Sequence, residues 1–116
     1  MKIIIVLFIS LILCGCETKK DVNVAHNNEL KEILLENNYV IVDVRTADEF
    51  NGGHIKDALN IPYDEINEST ELDKGKTIMV YCKSGNRSKK AYDILVKMGY
   101  DVYDLGAFDS INLSKE

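Results

Sequence analysis

The sequence predicts an α/β domain in which a central parallel β-sheet is flanked by helices on both faces. Three observations carry this expectation. Residues 39–44, 77–81 and 100–105 are short runs of β-branched and other apolar residues, as in strands buried on both faces. Apolar stripes at helical spacing alternate with them: Leu30, Ile33 and Leu34 before the first, and Ala91, Ile94, Leu95 and Met98 between the second and third. Strands alternating with helices need crossover connections, and crossovers make the strands parallel.

Taken in order, the first helix is expected over residues 29–36, stopped by Asn37-Asn38. After the first strand, Thr46 is placed to cap a short helix, with Glu49 three residues on as its capping-box partner. Asn51-Gly52-Gly53 breaks that helix. A weak strand over 58–61 ends at Pro62, the only proline of the chain. Residues 63–70 fit a short helix. Lys74-Gly75-Lys76 is a turn before the strand at 77–81, and Gly99 closes the helix that carries the Ala91–Met98 stripe.

The N-terminus reads as an address. Residues 3–13 are almost wholly apolar, too short to span a bilayer, which needs about 20 residues. One lysine ahead of such a run fits a secretory signal. Leu13-Cys14-Gly15-Cys16 resembles a bacterial lipobox, with a small residue before Cys16. The expected organisation is a lipoprotein-type signal at 1–16, a polar tether at 17–25 and a folded domain at 26–116. The chain would then be exported and held on the outer face of a bacterial membrane by lipidated Cys16. An uncleaved membrane anchor is the alternative.

Charge narrows the function. The formal net charge is −5, and without residues 1–16 the chain keeps 13 basic and 19 acidic side chains. Such a domain is a poor nucleic-acid binder. Yet from Lys74 to Tyr92 there are six cations and no acid. A basic island in an acidic chain suggests a site for a small anion, with a solvated lysine face as the competing explanation.

Cysteine count points to the same place. With Cys14 lost and Cys16 acylated, Cys82 is the one thiol left, so no internal disulfide can form. Cys82 ends a buried strand, a loop Lys83-Ser84-Gly85-Asn86-Arg87 follows, and a helix begins near Ser88. Ligands of open α/β sheets bind beyond the carboxyl ends of strands. Converging loop amides and a helix N-terminus favour an anion there, including the nucleophilic thiolate. Gly85 lets the loop curl. Lys89 and Lys90 are expected in the first helical turn, where acids are normally favoured, an arrangement that suits a bound anion. The chain has 12 lysines and only two arginines, Arg45 and Arg87, each just past a strand end, where a rigid fork is useful. For Arg87 a surface ion pair is the competing role. For Arg45 a structural pair, with Glu49 or another carboxylate, is expected. A small buried hydrophobe is the plain alternative for Cys82.

Three stretches resemble signatures of the rhodanese family. They are Ile41-Val-Asp43-Val-Arg45-Thr-Ala-Asp-Glu49-Phe50, then Gly53-His54-Ile55-Lys-Asp-Ala58-Leu-Asn60-Ile61-Pro62, then Tyr81-Cys82-Lys83-Ser84-Gly85-Asn86-Arg87-Ser88. The resemblance covers residues 24–113. It implies a rhodanese-like fold and a sulfurtransferase that carries sulfur as a persulfide on Cys82, with no metal and no organic cofactor. It implies that Lys83 and Arg87 hold a small anionic donor such as thiosulfate, and that the amides of Lys83, Ser84, Gly85, Asn86, Arg87 and Ser88 stabilise thiolate and persulfide. Asp43, Arg45, Glu49, His54 and Asn60 would brace the scaffold. Its partners would be that donor, a thiophilic acceptor and the membrane, with no nucleic acid, and the protein is expected to be a monomer. One departure stands near the C-terminus. The family often has paired glycines and a tryptophan where this chain has Leu105-Gly106-Ala107-Phe108, and that puts the packing of the last helix in question.

Two other functions compete. Certain dual-specificity phosphatases and arsenate reductases share such a fold and cysteine, but those phosphatases place five residues between Cys and Arg, and here there are four, Lys83 to Asn86. A non-enzymatic sulfide-sensing, redox-sensing or binding module is the second. Inactive members of the family usually lack the cysteine, which this chain keeps.

Overall fold

The computed structural model describes residues 19–116, with side chains from residue 28 onward. Residues 1–18, with Cys14, Cys16 and the signal expected there, lie outside the described residues.

Helix α1 spans Lys19–Glu36 and so begins well before the expected residue 29. No glycine or proline stands between Glu17 and Glu36, so nothing local stops the helix. Asn37 ends it in a left-handed conformation, φ 53°. Residues 33–116 form one compact unit that contains the sheet and the site.

The sheet consists of β1 (Tyr39–Asp43), β2 (Leu59–Asn60), β3 (Thr77–Cys82) and β4 (Asp101–Ala107), in spatial order β2-β1-β3-β4. All pairings are parallel. The parallel sheet and its flanking helices are those expected from the alternating pattern. Helix α2 (Ala47–Asn51) follows β1, and α3 (Asn86–Lys97) joins β3 to β4. The helix expected at 63–70 is a single 3₁₀ turn, Tyr63–Glu65. Asn67 then takes over the chain: its Oδ1 accepts from Ser69 N–H, and its own N–H donates to Thr70 Oγ1. Such local side-chain bonds favour turns over helix.

Alternation along the strands sorts the core. Val42, Val44, Ile78, Val80 and Cys82 pack with Ala91 and Leu95 of α3. Asp43, Arg45 and Tyr81, the interleaved residues, gather with Phe108. Full burial of Leu95 contributes roughly 1.5–3 kcal/mol.

A bulge in β4 matters to the site. Val80 pairs with Asp104 but Tyr81 pairs with Gly106, so Leu105 is extra. Gly106 takes φ 86°, and its N–H donates to Asp104 Oδ1 at 2.9 Å. One inserted residue moves everything after it to the other face. That brings Phe108 to the Tyr81 side, where the rings stack at 5.6 Å. Phe108 begins a 3₁₀ turn (Phe108–Ser110), and its ring lies 4.4 Å from the Arg45 guanidinium. This is how the stretch without a tryptophan packs.

The C-terminal residues add an interaction with no sequence signature. His54 N–H and Lys56 N–H donate to Glu116 O and Ser114 O, and Glu116 N–H donates back to His54 O. This short antiparallel bridge secures the segment after α2.

Candidate active site

Cys82 closes β3 and is fully buried, while Lys83, Ser84 and Asn86 just beyond it are exposed. Gly85 sits at φ 101° with open space where a side chain would begin. That left-handed conformation turns the Gly85 N–H back onto Cys82, where it donates to Sγ at 2.9 Å. Glycine is favoured here because other residues lose about 1–2 kcal/mol in left-handed backbone. The Gly85 amide is the loop donor that reaches the sulfur directly.

Gly85 is also the N-cap of α3. The helix therefore starts at Asn86, earlier than the sequence suggested. Asn86, Arg87 and Ser88 are helical, and Lys89 and Lys90 lie at and beyond the end of the first turn rather than within its start. The absence of acids from that turn stands. Ser88 is buried, and its hydroxyl donates to Gly85 O at 3.2 Å, holding the loop closed on the helix. The buried sulfur lies at the N-terminal end of α3 with the Gly85 amide aimed at it, so backbone dipoles place positive potential at Sγ.

The two arginines part ways. Arg45 pairs with Asp43: its Nε donates to Oδ1 and Oδ2 at 2.9 and 3.0 Å, and its backbone N–H to Oδ1 at 2.9 Å. Nη2 also donates to Gly53 O at 2.7 Å. The Asp43 hydrogen bond raises the Arg45 pKa, against burial, which lowers it. Tyr81 completes the cluster. Its hydroxyl accepts from Ile55 N–H at 3.0 Å, and burial raises the phenol's pKa. The structural pair expected for Arg45 exists, but its partner is Asp43 and not Glu49. Tyr81 and Phe108, to which the sequence assigned no role around Arg45, close around it.

Glu49 goes to Arg87 instead. Arg87 Nη1 and Nη2 donate to Oε1 and Oε2 at 2.7 and 3.1 Å. The expected capping box also forms. Glu49 N–H donates to Thr46 Oγ1, and Thr46 N–H donates back to Oε1 at 3.0 Å. The hydrogen bond from Arg87 comes first in lowering the Glu49 carboxyl to about 2. The same bond raises the Arg87 pKa, and attraction to Cys82 adds to it. Arg87 thus stands within electrostatic reach of Cys82 while its two terminal nitrogens are held by a carboxylate, so the ion pair expected as its competing role is present.

His54 and Asn60 have structural contacts. The His54 ring stacks on Phe50 at 3.9 Å, and Nδ1 lies 2.8 Å from Ile55 O, which places the ring proton on Nδ1. Asn60 Nδ2 donates to Asp43 O and Arg45 O, fastening the end of β1.

A parallel α/β sheet with a cysteine at a strand end, under a short glycine-turned loop and a helix N-terminus, defines an α/β protein whose candidate site centres on Cys82. Comparison with known proteins gives the family. The chain matches the Rhodanese-like domain over residues 26–112 and belongs to that family. It is 36% identical over 78 residues to thiosulfate sulfurtransferase PspE of Escherichia coli, covering 64% of this chain and 75% of PspE. It is 35% identical to thiosulfate sulfurtransferase GlpE of Coxiella burnetii, over 71% of this chain and 79% of GlpE. Among solved structures it resembles a rhodanese with anions from E. coli, TM-score 0.62 at 34% identity, covering 67% and 96% of the two chains. The chain is a sulfurtransferase of the rhodanese type.

Proposed function

We propose that the protein moves a sulfane sulfur from a small anionic, thiosulfate-like donor to a thiophilic acceptor through a persulfide on Cys82. One observation carries this: Cys82 Sγ accepts the Gly85 N–H at the N-terminus of an acid-free helix turn, with Arg87 in its field. In the first half-reaction the thiolate attacks the outer sulfur of the donor. A bond forms between Sγ and that sulfur, the old sulfur–sulfur bond breaks, and its electron pair leaves on sulfite. The acceptor then attacks the outer sulfur of the persulfide and returns the thiolate. The names of the two relatives support the donor class, and the four-residue spacing from Cys82 to Arg87 supports sulfur transfer over phosphoryl chemistry. Intact-mass analysis after exposure to thiosulfate tests this: one added sulfur, removed by cyanide, is expected. An unchanged mass with thiosulfate and other sulfane donors would sink the reading.

The same proposal places the protein as a monomer outside a bacterial membrane, tethered by lipid on Cys16. The short apolar run and Gly15 ahead of Cys16 support it. Cys16→Ser should leave an unlipidated precursor in the native host, and normal lipid labelling of that variant would exclude Cys16.

A further inference from the structure

We propose that Glu49 is a specificity-determining positioning residue, which neutralises Arg87 beside the Cys82 loop and limits how tightly the site holds a doubly charged donor and the anion it leaves. The inference rests on the donor chemistry proposed above.

The geometry is one-sided. Both terminal nitrogens of Arg87 are engaged by the Glu49 carboxylate. That carboxylate cannot easily withdraw, because Oε1 also accepts from Thr46 N–H at 3.0 Å and Thr46 Oγ1 at 3.2 Å. The cap of α2 therefore locks the anion that occupies the Arg87 fork. A free guanidinium fork suits the oxyanions of thiosulfate or sulfite well. With the fork closed, the pair adds no net charge at the loop. Attraction falls to the Gly85 amide, the start of α3 and exposed Lys83.

Chemistry gives this restraint a use. Donor and leaving group carry similar charge and share the oxyanion end. Every gain in grip on thiosulfate is therefore also a gain in grip on sulfite, which has to leave before the acceptor can enter. A moderated site releases its product.

The test is Glu49→Gln in the full chain. The amide oxygen can still accept at the cap, while the charge is gone. Thiosulfate binding is followed at the Gly85 amide by NMR in a Cys82→Ser background, where no sulfur moves, and sulfite is titrated likewise. Steady-state kinetics with cyanide are measured with Cys82 intact. Glu49→Gln should lower Kd and KM for thiosulfate by roughly fivefold to tenfold at low salt. The gain should shrink as salt is added, sulfite should inhibit more strongly, and kcat should not rise. Glu49→Ala removes the charge together with the cap contact, so a gain in anion binding there, alongside a loss of stability, would show that the charge is what restrains the site. Unchanged or weaker donor binding would overturn the proposal, because a merely structural Glu49 would loosen the site. If neither parent nor variant binds thiosulfate, the donor reading fails, and the sulfite titration still decides: no gain there overturns the role of Glu49.

Discussion

Asp43 and Arg45, two residues apart at the carboxyl end of β1, face each other as a buried ion pair whose guanidinium is covered by the rings of Tyr81 and Phe108. The pair lies on the sheet face opposite the Cys82 side chain. It fixes the end of β1, just past which Val44 N–H donates to Tyr81 O beside the site.

That burial sets the first prediction. Removing one member leaves the other charged and unpaired, at a cost of about 3–5 kcal/mol. Asp43→Ala should therefore lower stability by that order in urea unfolding. Replacing both residues with apolar side chains of similar volume should cost much less. Equal losses in the single and double variants would show that packing, and not the unpaired charge, dominates.

The second prediction concerns Gly85. Its backbone is left-handed, but space is open for a methyl group. Gly85→Ala should cost about 1–2 kcal/mol in stability. Sulfur transfer should fall further than stability does, because relaxing φ turns the N–H away from Cys82 Sγ. Activity that merely tracks the folded fraction would show that this amide is not needed.

Much of this was legible in the sequence. The β-branched runs gave the parallel strands to within a residue or two, because burial on both faces leaves a continuous apolar signal. Thr46 and Glu49 announced the cap, since a capping box is local. Cys82, Gly85 and Arg87 announced the loop because their spacing is short. Long-range choices were not legible. Nothing local says that Glu49 pairs with Arg87, 38 positions away, while Arg45 takes Asp43. The start of α3 was misplaced because Gly85 acts as its N-cap without a side-chain acceptor. Phe108 was missed because a bulge, invisible in composition, decides which face it joins.

The third prediction is a pH dependence. In the folded protein Glu49 titrates at about 2 instead of its ordinary 4.5, with Arg87 the first cause. A lowered carboxyl stabilises the fold above its ordinary value and loses that contribution as pH falls toward the folded one. The stability difference between wild type and Glu49→Gln should therefore be full above about pH 5 and vanish by about pH 2. The raised Arg87 value lies outside this window and adds no slope. A difference that stayed constant across the window would mean that the ion pair is not what Glu49 contributes.

The last prediction is that Cys82 is indispensable and works alone. Residues 17–116 contain no other cysteine. A persulfide on Cys82 therefore has no internal thiol to resolve it as a disulfide within those residues, and discharge has to go to an external acceptor. One carrier that is loaded and then unloaded gives ping-pong kinetics, with parallel lines in double-reciprocal plots of thiosulfate against cyanide. Serine can accept the Gly85 N–H as the sulfur does, so Cys82→Ser should fold with near wild-type stability. Its oxygen is a weaker nucleophile with no sulfur to form a persulfide, so no added sulfur should be found by mass. Transfer should fall by at least roughly a thousandfold, the scale of losing a covalent nucleophile. A Cys82→Ser protein that still moved sulfur to cyanide at an appreciable rate, or intersecting lines that require donor and acceptor to be bound together, would overturn the single-carrier cycle.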